Sequence, residues 1–253
     1  MQMSVSIPPA AREFSYRWLL YRRTWRMSVV MNFVNPVLFL VGIGYGVGRL
    51  ATDFDYLAFL APGLLVASAM QTSVIEATIS MHLSLHNTGS YRSAAMTPLS
   101  PGDILTGHLL FMTFRVFTGA CVFFLVMLVF GTVESPAGVL AIPVAVLTSM
   151  AIALPFVALA MIVTNFDVMS GIRNVILMPM YLLAGTFVPV GELPAALQPV
   201  AEVLPLTLGV DVARDLTTGH LDDPWLNLGV LAGIAVAGLV AARFAFRRAL
   251  EQT

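Results

Sequence analysis

Glu76 and Arg115 are ionisable side chains set inside long apolar stretches, where a charge is costly and marks function or a deliberate pairing. A carboxylate and a guanidinium at such depth can clamp two helices together, or take part in gating or substrate contact. A proton relay would call for a second buried carboxylate, and none accompanies Glu76. His82 and His86 lie four residues apart and can share one helix face, as two zinc ligands do, but a metal site needs a third ligand. Leu83 stands where an HExxH site carries its glutamate, so no metal is expected and the pair reads as interfacial. Intramembrane hydrolysis would need a nucleophile and base held at membrane depth. His108 is the one histidine near an apolar stretch, and no aspartate lies deep in one. The chain has 13 arginines and no lysine. It therefore lacks the lysine of a phosphate-binding Walker loop and of Schiff-base chemistry. If ATP drives this protein, another polypeptide supplies the ATPase.

The elements that must position these groups follow from hydropathy. Six apolar stretches, residues 28–50, 57–80, 106–130, 139–164, 174–190 and 225–243, match the roughly 20 residues that a helical bilayer crossing requires. Ten of the 13 arginines fall at the N-terminus, in the second and fourth connections or in the C-terminal tail. The positive-inside rule places both termini in the cytoplasm. The expected fold is an all-α integral membrane protein of six transmembrane helices, N-in and C-in. At 58% hydrophobic and 11% charged residues the chain lacks the surface of a soluble domain, which carries about 25% charge. A net charge of −1 argues against a nucleic-acid partner. The first 26 residues hold five arginines and no apolar core, so a cleavable signal peptide is not expected. The single cysteine, Cys121, rules out an intrachain disulfide.

Ahead of the first stretch, residues 10–26 read as an amphipathic interfacial helix. Phe14, Trp18, Tyr21 and Trp25 make one stripe, while Arg12, Arg22, Arg23 and Arg26 face away, as in a helix lying among lipid headgroups. Asn35-Pro36 predicts a kink, and Gly42/Gly46 and Gly44/Gly48 form small-xxx-small pairs for close helix contact, within the chain or with a second copy. Pro143 and Pro155 are expected to bend the fourth span. In the last outward connection, 191–224, Leu193, Leu197, Val200 and Leu204 alternate with Pro194, Pro199 and Pro205. That pattern predicts short amphipathic helices re-entering the outer leaflet.

Some residues are more particular. The second span opens Tyr56-Leu57-Ala58-Phe59-Leu60-Ala61-Pro62-Gly63-Leu64 and continues through Ala69-Met70-Gln71 and Glu76-Ala77-Thr78. The inner loop carries Tyr91-Arg92-Ser93-Ala94-Ala95-Met96-Thr97-Pro98-Leu99-Ser100. A proline-rich run from Leu193-Pro194 to Leu204-Pro205-Leu206-Thr207, then Asp211 to Arg214, precedes the last span. This series resembles the ABC-2 family of transporter permeases, in particular the branch holding the nodulation lipo-oligosaccharide exporters and the daunorubicin-type drug-efflux permeases.

The resemblance implies a non-catalytic permease in a bacterial cytoplasmic membrane, one half of a two-permease core whose other half is a second copy or a related chain. Two separately encoded ATP-binding-cassette subunits would hold ATP and Mg, and this chain would bind no cofactor. Residues 83–96 would be the coupling helix, with Tyr91, Arg92 and Met96 touching the ATPase and Arg173 in the next inner loop a lesser contact. The cargo would be an amphiphilic drug, lipid or lipid-linked glycan leaving the cytoplasm or inner leaflet. The first, second and fifth helices would line its path, with Asn35, Phe39, Thr72 and Met180 as candidate lining residues. The alternative is an ion-coupled secondary transporter, for which Glu76 beside Arg115 is the one buried titratable group on offer.

Overall fold

The computed structural model describes residues 8–46, 56–97, 99–219 and 223–251, and every regular element among them is helical. α1 (Pro9–Phe39) widens into a π-helical turn at Leu40–Tyr45. α2 (Tyr56–Ile75) runs on through wide turns at Glu76–Ser80 and Leu83–Asn87. The short α3 (Ser90–Ala95) then leads to α4 (Pro101–Val129). A 3-10 turn, Pro136–Leu140, opens α5 (Ala141–Ile162), followed by α6 (Phe166–Leu183). Two short helices, α7 (Gln198–Val203) and α8 (Pro205–Thr218), precede α9 (Trp225–Glu251). Five helical runs among the described residues are long and apolar enough to cross a membrane: Tyr56–His86, Pro101–Val129, Pro136–Ile162, Phe166–Leu183 and Trp225–Leu250.

Local chemistry sets where these helices begin. At α4, Ser100 Oγ accepts from the Asp103 amide at 3.1 Å while the Asp103 carboxylate accepts from the Ser100 amide at 3.1 Å, a reciprocal capping box with Pro101 at the first helical position. At α6, Asn165 Oδ1 accepts from the amides of Asp167 and Val168, at 2.8 and 3.3 Å. α8 starts on Pro205 and stops at Gly219, whose φ of +83° suits a residue without a side chain.

α5 is the spine of the bundle. It is apolar all round, as a helix covered by protein on most sides should be. Ser73 of α2 donates to the Ser149 carbonyl of α5 at 3.1 Å. α9 lies tight on α5 at Gly238, where an added Cβ would fall 2.8 Å from Pro155 Cδ and 2.9 Å from Leu154 Cβ. Only a residue without a side chain fits there. The 191–224 segment is seated by its neighbours: Arg214 of α8 donates to the Gly185 carbonyl at 2.8 Å and stacks 3.9 Å over the Phe59 ring.

Several sequence expectations are corrected here. The interfacial helix 10–26 and the span 28–50 are not separate elements, because α1 passes without a break from Pro9 through Pro36 to Phe39; no glycine interrupts the junction. The helix in the fifth stretch starts at Phe166 and ends at Leu183, displaced from 174–190, because the Asn165 cap carries a polar first turn that hydropathy alone assigns to a loop. Residues 83–96 are not one helix: Leu83–Asn87 extends α2, and α3 covers only Ser90–Ala95. Pro143 sits in the first turn of α5, where a missing amide costs little, leaving Pro155 as the interior proline. A Cβ added to Gly42 or Gly46 would meet nothing within 4 Å, so these two glycines, just past α1, have no close neighbour among the described residues. Gly48 and Pro98, and the side chains of Asn35 and Arg92, lie outside the described residues.

Candidate functional site

At the end of the bundle where the 81–105 connection lies, α3 is held by a buried polar hub. Tyr91 is the second residue of α3, and its side chain is 1% exposed. Arg17 of α1 donates through Nη2 to the Tyr91 hydroxyl at 2.9 Å, and its guanidinium carbon lies 5.3 Å from the centre of that ring. The Tyr91 oxygen is also 2.7 Å from His108 Nδ1 on α4. Since arginine can only donate, Tyr91 accepts from Arg17, and its oxygen shares a second hydrogen bond with His108 Nδ1 whose direction follows the histidine tautomer. Burial raises the Tyr91 hydroxyl further above its usual range, with Arg17 opposing and Glu13 adding to the effect. The Tyr91 hydroxyl therefore keeps its proton at neutral pH.

Arg17 is balanced by Glu13 one turn earlier: Nε donates to Oε1 at 2.8 Å, and the two residues are 7% and 6% exposed. An ion pair this deep adds little net stability, but removing one member strands the other charge. The pair fits because α1 lies tight on α4. A Cβ on Gly107 would come within 2.6 Å of the Ala10 carbonyl oxygen and of Glu13 Cβ. On its other side the Tyr91 ring meets Phe246 of α9 edge to face, with centroids 5.3 Å apart. One side chain on a six-residue helix thus joins α1, α4 and α9.

The aromatic stripe of α1 finishes this contact. Phe14 packs edge-on to Phe111 and Phe114, Trp18 to Phe114 and Tyr21 to Phe111, with centroids between 5.4 and 6.1 Å. The stripe expected to face lipid headgroups covers α4 instead, while Trp25 stays exposed. One step deeper, Arg115 of α4 donates to the Glu76 carboxylate of α2 and lies 5.5 Å from the centre of the Tyr21 ring. His82 and His86 stack at 4.6 Å, with His82 also on Phe166, and among the described residues no group of three metal-ligating side chains forms.

The residues expected to meet an ATPase divide in the structure. Tyr91 is interior, so its ring offers no docking surface. Met96, just past α3, is 89% exposed. Arg173 bonds Ser170 Oγ at 3.1 Å and lies in the wall of a groove of about 460 Å³ between α2 and α6. Of the candidate path residues, Phe39 is exposed, and Thr72 is partly buried and donates to the Ser68 carbonyl at 3.0 Å. Met180 is packed into the core at 8% exposure. The groove is lined instead by Gln71, Ile75, Asn174, Met178 and Tyr181. Glu13 and Arg17 are hub members that the sequence does not single out, and His108 is singled out there only when hydrolysis is weighed. The four-residue spacing of Glu13 and Arg17 is visible, but an arginine-rich flank hides it.

A bundle of membrane-length apolar helices with a short helix pinned beneath it is the build of a multi-pass membrane protein. Residues 14–217 match the model of the ABC-2 type transporter family, and the chain belongs to that family. It is similar to nodulation protein J of Rhizobium meliloti (strain 1021), 29% identical over 241 residues that cover 92% of this chain and 90% of the relative. It is also similar to nodulation protein J of Sinorhizobium fredii (strain NBRC 101917 / NGR234), 30% identical over 78% of this chain and 76% of that one. The protein of the same name from Bradyrhizobium diazoefficiens is 28% identical over 92% and 90%. With such bacterial relatives, the membrane is the bacterial inner membrane.

Proposed function

We propose that this chain is the permease half of an ATP-driven exporter, crossing the membrane six times with both termini in the cytoplasm. A separately encoded cassette ATPase docks beneath α3, and Met96 is its principal contact on this chain. The observation that carries the reading is the Tyr91 hub. A helix of six residues could not hold a rigid position by itself, yet through Tyr91 it is bonded to α1 and α4 and packed on α9. A push on α3 is thereby delivered to three long helices as a rigid-body displacement.

The path for cargo runs along the α2–α6 groove, whose mostly apolar wall suits an amphiphilic drug, lipid or lipid-linked glycan. Two features support a second permease facing it. Val175, Met178 and Leu182 on α6 are exposed, and Gly42 and Gly46, just past α1, meet nothing within 4 Å among the described residues. Nothing of this requires a nucleotide or metal on the chain itself.

Purification in mild detergent from the native host tests the reading. The expected result is a stoichiometric cassette ATPase and a second permease in the same complex. A chain recovered alone from several mild detergents, to which no ATPase binds on reconstitution, would overturn the assignment and move attention to ion-coupled transport.

A further inference from the structure

The face of α9 turned away from the hub borders a groove of about 680 Å³ between α2, α5 and α9. Its polar members, His86, Thr164 and Arg248, all stand at the ends of their helices nearest the 81–105 connection. Its remaining walls are apolar and reach inward to Ala158 and Ala241, the latter about 10 Å from Arg248 at the helical rise per residue. Ile162 and Phe244 on this groove are exposed, so it opens sideways, toward the hydrocarbon. Among the described side chains, no acidic one lines it.

We propose that this groove holds one anionic phospholipid, its phosphate on Arg248 and Thr164 at the rim and an acyl chain along Ile162 and Phe244. The depth profile is that of an amphiphile: polar contacts at one end, then an apolar channel running toward the bilayer centre. The sign of the headgroup follows from charge. Arg248 with a histidine, and no carboxylate among the described lining residues, favours a phosphate, and a choline group would meet the same cation unfavourably. A water-soluble phosphate would leave the apolar length of the groove unfilled. The site lies on the far side of α9 from Phe246, so its lipid would brace α9 against α2 and α5 without touching the hub.

Native mass spectrometry of the delipidated full chain tests this, with phosphatidylglycerol, phosphatidylcholine of the same acyl chains and glycerol 3-phosphate as probes. The expected result is one retained phosphatidylglycerol per chain, with neither other probe retained. Arg248→Gln should weaken phosphatidylglycerol on the order of tenfold, as loss of a charge-assisted hydrogen bond does. Ala241→Trp, at an exposed wall position that tolerates bulk, should block the acyl channel and weaken it as well. Equal retention of both phospholipids, binding of glycerol 3-phosphate alone, or an unchanged affinity in either variant would overturn the proposal.

Discussion

Tyr91→Phe is expected to lower the unfolding free energy by about 2–4 kcal/mol, a large cost for one oxygen atom, because it leaves two buried groups without their partner. Arg17 Nη2 is left with only the long 3.5 Å contact to Ser84 Oγ, and His108 Nδ1 loses the Tyr91 oxygen, and both lie where water cannot replace them. Tyr91→Ala should cost more, since the fully buried ring also fills the space against Phe246. Thermal unfolding in detergent checks both values. Function should separate the two roles of α3. With Met96 still exposed, Tyr91→Phe is expected to bind the ATPase normally while ATP-driven transport in reconstituted vesicles falls. A Tyr91→Phe protein as stable as the wild type, and fully active, would remove the hub from the account.

The second large effect lies at Glu76 and Arg115. Arg115→Met is expected to destabilise the chain by about 3–5 kcal/mol, because the Glu76 carboxylate is then buried without its cation. The double variant Glu76→Gln/Arg115→Met should recover most of that loss, since no uncompensated charge remains. A clamp predicts that transport returns with stability. If stability returns and transport does not, the charges themselves act during the transport cycle.

What the sequence makes legible here is hydropathy, and what it hides is direction. Apolar length locates the cores of α2, α4, α5 and α9, because a bilayer crossing demands it. It misplaces α6, whose first turn carries Asp167 and an asparagine cap and so looks like loop. The stripe Phe14, Trp18, Tyr21 is plain in the one-dimensional pattern, but lipid and the Phe111/Phe114 face of α4 are equally apolar, so periodicity cannot choose between them. The resemblance implies a docking role for Tyr91 beside Arg92, but a motif shows that an aromatic is present on a short helix, not that it turns inward. Glu13–Arg17 and His108 become a site only when α1 closes on Gly107. The cost of burying those charges is therefore visible only in three dimensions.

The most direct measurement is site-specific crosslinking of the assembled complex in a Cys121→Ser background, with single thiols introduced in turn at Met96, at buried Tyr91 and at Trp225. Trp225 is exposed where α9 begins, far from the 81–105 connection. The account predicts a covalent adduct with the cassette ATPase from Met96→Cys and none from Tyr91→Cys or Trp225→Cys. No adduct from Met96→Cys in a complex that hydrolyses ATP, or an adduct from Trp225→Cys, would contradict it.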